Sequence, residues 1–510
     1  ETGELEYYDT LKASIPPGLI EMLGVQGMGP KKVKALHEKL GLESIEALEA
    51  ACEAGQVAEL DGFGKKSEEK ILESIAFKRQ HASHHHRHKM LIAAEPILDD
   101  LRSHPDVIRC DLAGSLRRAK EVSGDIDFLV SAKESADIIE AFTTRAGVLS
   151  VLAAGSTKAS VLLEGGIQAD LRVVEDLEYA SALAYFTGSK EHNISMRSRA
   201  ISRGLRLNEY GLFKSKEETR DAKLRLDCKT EEEIFQALDL AYVPPELRED
   251  RGEFEAAEQN KIPRLIEWTD LKGSLHNHSN WSDGHESLEE IAEYMSGLGC
   301  AYWAITDHSK ASFQANGLDG ARVKKQLKAI AEVNQKLEDD GDDFRLLTGI
   351  EVDVLKKGLD LEDDLLAQLE VVVASMHVAG SDEADNTKRL INAAENPNVH
   401  MIGHLSGRLL LGRAPQKLNQ QAVIDACAAT GTWIELNANP HRLDLDWRHW
   451  QYAKSKGVKC VINSDAHRNE HAGFLRLGTG IARKGWLTKA DVVNTLPLAK
   501  LRKELAKKGN

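Results

Sequence analysis

Six apolar runs in the second half of this 510-residue chain each end on, or run straight into, a residue that can hold a metal ion. GSLHNHSNWSDG brings His276, His278 and Asp283, YWAITDH ends at His308, and FRLLTGIEVDV carries Glu351. LEVVVASMH ends at His377, VHMIGH at His404, and KCVINSDAH supplies Asp465 and His467. Apolar strands alternating with long amphipathic helices make a parallel α/β fold. In a parallel barrel the strand C-termini share one mouth, so ligands placed there converge. One strand-end histidine is usually an ordinary core residue; six segments built alike are a site. These nine donors exceed the need of one ion. Their mixture of imidazole and carboxylate suits Zn²⁺ or Mn²⁺ rather than Ca²⁺. Clustered ions can lower the pKa of a water and bind phosphate, so phosphoester hydrolysis is the natural reaction, with no serine or cysteine nucleophile required. Asp307 and His285 lie near this pattern but off it, and read as supporting or surface residues.

The first half carries a second constellation. SGDIDFLV (123–130) sets Asp125 and Asp127 on one face of a predicted strand. Side-by-side carboxylates repel and resist burial, so the pair calls for a counter-charge. Just upstream, AGSLRRAK (113–120) places Gly114 and Ser115 at a strand-to-helix turn, where backbone N–H groups and a hydroxyl can meet a phosphate. Arg117 and Arg118 follow, and guanidinium groups suit phosphates. IQADLRVV adds Asp170 on a later apolar strand. Three carboxylates beside a phosphate-binding turn form the donor set of a two-metal phosphoryl-transfer site.

Near the start, VQGMGPKKVKALHEKLG (25–41) and LDGFGKKSEEKILESI (60–75) repeat one design. Each has a tight Gly-x-Gly turn, Gly27/Gly29 and Gly62/Gly64, leading into a lysine-rich helix. With Lys31, Lys32, Lys65 and Lys66 alongside, two such turns in series read as contacts to a DNA backbone. In HASHHHRHKM, His81, His84, His85 and His88 are spaced as one solvated helix face. A net charge of −15 argues by itself against nucleic acid, but a basic groove can sit on an acidic protein and metal ions offset carboxylates locally. The six cysteines form no CxxC pair, which argues against a zinc ribbon or disulfide framework and for a reducing cytoplasm. No apolar run has the length of a membrane span, and ETGELEYY does not read as a signal peptide. Glutamate as first residue leads to the expectation that the chain is processed or cut from a longer one.

GSLRRAKEVSGDID, QADLR and YFTGSKEHN (185–193), in that order, resemble the palm and thumb signatures of family X DNA polymerases. The resemblance covers most of 1–255. It implies that Asp125 and Asp127 hold both metals, and that Asp170 holds the catalytic one. Gly114, Ser115 and Arg118 would bind the triphosphate. Tyr185 and Phe186 would pack on the sugar beside Gly188, and Asn193 and Arg197 would reach the minor-groove side of the new pair. The basic segment with Arg197, Arg199, Arg203 and Arg206 fits contact with a DNA strand. Gln168 stands where some relatives carry arginine. The helix-hairpin-helix with the lyase lysine of some relatives is not found in this sequence, so no lyase activity is expected.

Residues 271–510 are similar to the polymerase and histidinol phosphatase (PHP) domain, with H-x-H, WSDG, TDH, GIEVD, SMH, GH and NSDAH in family order. That likeness implies Mn²⁺-dependent 3′–5′ exonuclease or 3′-end-processing action. The expected fold is multidomain, α+β and α/β. It comprises a helix-hairpin-helix region (1–82), a Pol beta-like nucleotidyltransferase palm (83–178) and a thumb (179–250). The Pro- and charge-rich stretch 242–265 marks a linker, set at 251–270, which leads to a distorted TIM-like (β/α)7 PHP barrel (271–510). Expected cofactors are Mg²⁺ or Mn²⁺ at the polymerase site and two or three Mn²⁺ or Zn²⁺ ions at the PHP site. Expected partners are gapped or primer–template DNA and dNTPs, with no membrane, for a monomer in the bacterial cytoplasm, nucleoid-associated. Two rivals are a DNA-binding scaffold that has lost catalysis, and a nucleotidyltransferase fused to a small-molecule phosphatase.

Overall fold

The computed structural model describes residues 16–25, 27–81 and 83–508; ETGELEYY lies outside them. The chain divides into two compact units, Glu1–His84 with Arg408–Pro415, and His85–Gly407 with Gln416–Asn510.

In the first unit, helices α1 (Pro17–Leu23), α2 (Pro30–Leu40), α3 (Ile45–Glu53) and α4 (Lys65–Gln80) enclose a core that includes Met22, Val33, Leu36, Leu48 and Ile71. The repeat read in the sequence is structural. Gly27 and Gly62 have φ of 83° and 85°, a region that favours glycine. Gly29 and Gly64 are the N-caps of α2 and α4, without a side-chain cap. Between each glycine pair one apolar residue, Met28 or Phe63, turns into the core. The Lys32 and Ser67 N–H groups turn back to the Gly29 and Gly64 carbonyls, and Lys31 and Lys65 stand exposed at the two helix starts.

The histidine run does not form one helix face. Helix α4 stops at Gln80, His85 and His86 pair as a short strand with Ser123 and Val122, and α5 (Arg87–Ser103) starts afresh. The i, i+3, i+4, i+7 spacing aligns side chains only along an unbroken helix. Here strand pairing takes up the backbone instead.

In the second unit a five-stranded mixed sheet comes first. Its strands are β1 (Val107–Leu112), β2 (Asp125–Ala132), β3 (Val148–Ala154), β4 (Lys158–Leu163) and β5 (Ile167–Val174), in spatial order β1-β2-β5-β4-β3. Ile126, Phe128 and Val130 of β2 alternate into a core with Met90, Ile97 and Leu101 of α5 and Ile138 and Phe142 of α6 (Ala136–Thr144). Leu129 faces the other way, onto Tyr179, Ala182 and Leu183 of α7 (Tyr179–Thr187). Both faces of β2 are thus covered except at its N-terminal end, where the acids stand. Helices α8 (Lys190–Ser202) and α9 (Glu231–Ala237) share a further core.

The segment read as a linker is packed rather than loose. Glu253 is fully buried 2.8 Å from His192, and Ala257 and Leu265 join the core of α8 and α9. Its prolines and charges misled because the carboxylate has a buried partner.

Seven strands then run parallel in sequence order: β6 (Gly273–Ser274), β7 (Tyr302–Ile305), β8 (Arg345–Leu355), β9 (Val371–Ser375), β10 (Met401–Ile402), β11 (Trp433–Asn437) and β12 (Cys460–Asn463). A parallel bridge between Asn277 and Ala466 brings the last strand back to the first, so the sheet nearly closes into a barrel. Around it lie α10 (Leu288–Gly297), α11 (Gly320–Asp339), α12 (Glu383–Glu395), α13 (Gln420–Thr430), α14 (Trp447–Ser455), α15 (Phe474–Lys484) and α16 (Leu498–Leu505). Among the described residues no helix is long and apolar enough to cross a membrane.

Candidate functional site

Strand register builds the first site. β2 and β5 run parallel with Asp125 opposite Gln168 and Asp127 opposite Asp170, so all four side chains share a face. The carboxylates of Asp125, Asp127 and Asp170 approach within 4.8 Å of one another. Burial, reinforced by Asp125 and Asp170, pushes Asp127 up to about 7. Such a group waits for a cation. Gly114, at φ 60°, is what makes room: a Cβ there would stand 1.9 Å from Asp127 Oδ2. The Gln168 amide donates to both Asp170 oxygens, at 3.2 and 3.4 Å. A cavity of 140 Å³ opens beside Asp127 and Asp170, bordered by Lys158, Arg172 and Phe186. The Arg172 guanidinium lies 4.3 Å from the centre of the Phe186 ring. Lys158 and Arg172 were not singled out in the sequence, although the QADLR motif contains the second.

The raised Asp127 has a measurable consequence. Its carboxylate must lose a proton to take a cation, so divalent-ion affinity at the triad should rise as pH rises through about 7. Mn²⁺ titrations followed by electron spin resonance, in a Glu351→Ala background to silence the barrel, should show binding about tenfold tighter at pH 8 than at pH 6. A flat profile would count against this picture.

The two arginines of AGSLRRAK part company. Arg117 does not face the triad: it closes a bidentate pair on Glu231, at 2.7 and 3.0 Å, and bonds Thr187 Oγ1. Arg248 holds the same Glu231 from the other side. Burial works against ionisation of Glu231, but Arg248 and Arg117 override it and hold the acid down at about 2. Arg117 is therefore a structural cation, a correction to reading both arginines as phosphate ligands. Arg118 donates Nε to Glu249 at 3.0 Å and Nη1 to the Thr187 carbonyl at 2.8 Å. The Ser115 hydroxyl lies 2.6 Å from that of Ser123.

Tyr185, Asn193 and Arg197 line one crevice between α7 and α8. Asn193 Nδ2 donates to the Tyr185 carbonyl at 2.7 Å, and Tyr185 and Phe186 meet edge to face. Gly188 sits where a Cβ would come within 2.6 Å of Asn193 Oδ1. Arg199, Arg203 and Arg206 are taken up inside the unit, by Leu238 and Asp239 carbonyls, the Asp239 carboxylate and the Lys216 carbonyl.

The barrel mouth gathers the nine strand-end donors. Three groups have donor atoms within 4.8 Å of one another: His278/Asp283/His308/His467, His276/His278/Asp465 and His308/Glu351/His377. His404 Nε2 comes within 3.0 Å of Glu351 Oε1. Glu351 is the hub, within 2.8 Å of His308, 3.3 Å of His377 and 3.4 Å of His276. His404 and Asp465 hold positive φ, 22° and 50°, where the chain bends at strand ends to aim them inward.

The donor set fits metal ions. His276 Nε2, His278 Nδ1 and Glu351 Oε2 are buried without a hydrogen-bond partner. Burial and the neighbouring His467 and His308 rings push His278 down to about 3. Against the cost of burial, Glu351 and Asp353 raise His377 to about 10. Imidazoles stacked 4.2 and 4.4 Å apart, His278 on His467 and on His308, are unfavourable as cations and natural as neutral ligands.

Outer residues aim these ligands, and reading the sequence missed most of them. Glu435, wholly buried, accepts from His276 Nδ1 at 2.7 Å, the His404 backbone N–H at 2.6 Å and the Asn437 and Asn463 amides. Asp353 accepts from His377 Nδ1 at 2.8 Å. The available signal was an acid inside an apolar strand, as in WIELN. Asp307 is a buried support, bonded by Ser279, Ser282 and Gln326. His285 faces Arg468 near the surface. Because carboxylates behind histidine ligands fix tautomer and orientation, Glu435→Gln should weaken metal binding at the barrel about 10–100-fold. Metal analysis after dialysis checks it, with the Asp triad unaffected.

Family models matched along the sequence agree with this layout. The family model described as SAM-like helix-hairpin-helix tandem matches residues 19–76, DNA polymerase beta thumb 182–249, and PHP domain 274–437. The DNA polymerase/3′-5′ exonuclease PolX of Bacillus subtilis (strain 168) is 38% identical over 502 residues, 98% of this chain and 86% of the relative. A probable phosphatase of Thermoanaerobacter sp. (strain X514) is 29% identical over 234 residues, 43% of this chain and 89% of that one. A Leishmania infantum polymerase beta, solved as a ternary P/T complex, is 21% identical and covers 46% of this chain and 99% of that one, with a TM-score of 0.28. The 38% identity to the Bacillus protein over 98% of this chain, together with the thumb and PHP matches along it, shows that the chain belongs to the PolX family of DNA polymerases.

Proposed function

We infer that the chain is a DNA polymerase with its own 3′–5′ exonuclease, working at two separate metal sites. The observation that carries this is the coexistence of two complete donor sets, the Asp125/Asp127/Asp170 triad and the barrel-mouth cluster. Divalent ions, Mg²⁺ or Mn²⁺ at the triad and two or three Mn²⁺ or Zn²⁺ at the barrel, would supply charge stabilisation and an activated oxygen nucleophile when bound.

The protein's own groups do the rest. Asp125, Asp127 and Asp170 gather at one strand end, and Gly114 leaves the space the Asp127 carboxylate occupies. Arg118 and Ser115 take the triphosphate, Tyr185 and Phe186 the sugar, with Gly188 allowing close packing. Asn193 and Arg197 face the nascent pair. In the barrel, Glu351 is placed to bridge the histidines, and Glu435 and Asp353 fix His276 and His377 in register. The Gly27/Gly29/Lys31 and Gly62/Gly64/Lys65 turns grip DNA phosphates, sequence-independently and with affinity falling as salt rises. The domain division is 1–82, 83–178, 179–250 and 271–510, with 251–270 a packed connection. The substrates are gapped or primer–template DNA and dNTPs, bound by a monomer.

A duplex with a one-nucleotide gap tests this. With Mg²⁺ and dNTPs the protein should fill the gap; with Mn²⁺ and no dNTPs it should remove nucleotides from a 3′ end. Neither reaction occurring would favour the scaffold reading. Hydrolysis of small phosphomonoesters without attack on DNA would favour the phosphatase fusion.

A further inference from the structure

The barrel reaches into the polymerase half through one buried cation. Lys484, the last residue of α15, is 1% exposed. Its ammonium donates to Glu249 Oε1 at 2.5 Å and to the carbonyl of Arg118 at 3.1 Å. Glu249 Oε1 is also the atom that accepts Nε of Arg118. One carboxylate oxygen is therefore shared between a cation from each half of the unit. On the same helix a Cβ at Gly480 would come 3.3 Å from that of Ala119, so the helix lies directly against the turn. The neighbouring Arg483 is spent on Glu246 and Glu267, and Arg117 on Glu231.

Charge bookkeeping gives this arrangement a consequence. A pair of Arg118 and Glu249 alone is neutral, and a neutral pair offers little to a triphosphate. A second cation on the same carboxylate offsets the hold of Glu249 on Arg118, with the buried Glu121 the further acid nearby, in a setting where screening is weak. Lys484 also bonds the Arg118 backbone, so it fixes where that charge stands.

We propose that Lys484 of the barrel is a positioning residue for nucleotide binding at the other site, acting through Glu249 on Arg118. It neither touches the nucleotide nor takes part in hydrolysis. The proposal rests on the reading of Arg118 as a triphosphate ligand. It makes the barrel a working part of the polymerase, and not merely a second enzyme on the same chain.

The test is steady-state gap filling by the full chain. In Lys484→Met the KM for dNTP should rise about tenfold with kcat within about twofold, as expected for loss of one nearby charge. Mn²⁺-dependent 3′-end removal should be unchanged, which also reports that the barrel is folded. Removing the carboxylate as well, in Lys484→Met/Glu249→Gln, frees Arg118 and should bring KM back toward wild type. A purely structural role for the lysine would make the double variant worse than the single one, and that result would overturn the proposal, as would an unchanged KM in Lys484→Met. Should Lys484→Met not fold, Glu249→Gln alone decides: KM should fall, and a rise would refute the idea. Wild-type protein that fills no gap, or an Arg118→Ala variant with normal KM, would instead defeat the underlying reading of the site.

Discussion

Asp127→Ala should lower gap filling by about four orders of magnitude or more, since residues acting as one metal-holding unit fail together. The geometry makes Asp127 the most exacting of the three acids. It stands opposite Asp170 in the parallel register, beside Asp125, and against the space left by Gly114. Removing it also removes the group that burial and its two neighbours hold near 7. The metal-free protein should not suffer, because the substitution relieves repulsion among carboxylates. Thermal unfolding in chelator should therefore show equal or greater stability, alongside lost extension and retained 3′-end removal. A protein that is both inactive and unstable would point to a structural role instead.

The second large effect is expected at Glu351. Its two oxygens lie within 3.4 Å of His276, His308, His377 and His404. Glu351→Ala removes the one carboxylate common to those four rings and should lower the exonuclease rate about a thousandfold, with loss of bound metal. Gap filling should remain within about twofold of wild type, a difference too small to mark a shared site. Retained metal and retained exonuclease activity would show that the cluster is not the hydrolytic centre.

Much of this was legible in the sequence for one physical reason. Parallel strands carry their C-termini to one mouth, so ligands at strand ends can be assembled without knowing any side-chain angle. Most barrel donors met for that reason, with Glu351 inside β8 and Asp283 in a turn joining them. Asp125, Asp127 and Asp170 met because alternation places i and i+2 on one face and β5 pairs directly with β2. The misses share the opposite property. Arg117 and Arg118 are adjacent and chemically identical; only distant partners, Glu231 and Glu249, tell them apart. The histidine run has helical spacing, but its backbone is claimed by Val122 and Ser123. Glu253 sits in a stretch that reads as a linker and is buried against His192. Glu435 and Lys484 are single charges among many, and their importance lies in being buried, which no local pattern states.

The central claim is that one chain carries two separate metal sites of opposite action. The most direct measurement follows both on a single DNA, a gapped duplex labelled at the primer 5′ end, with Mn²⁺ and dNTPs present together. Wild-type protein should give lengthened and shortened primers in one time course. Asp127→Ala should give only shortened primers, and Glu351→Ala only lengthened ones. Loss of both products from either variant, in protein that unfolds at the wild-type temperature, would contradict the account.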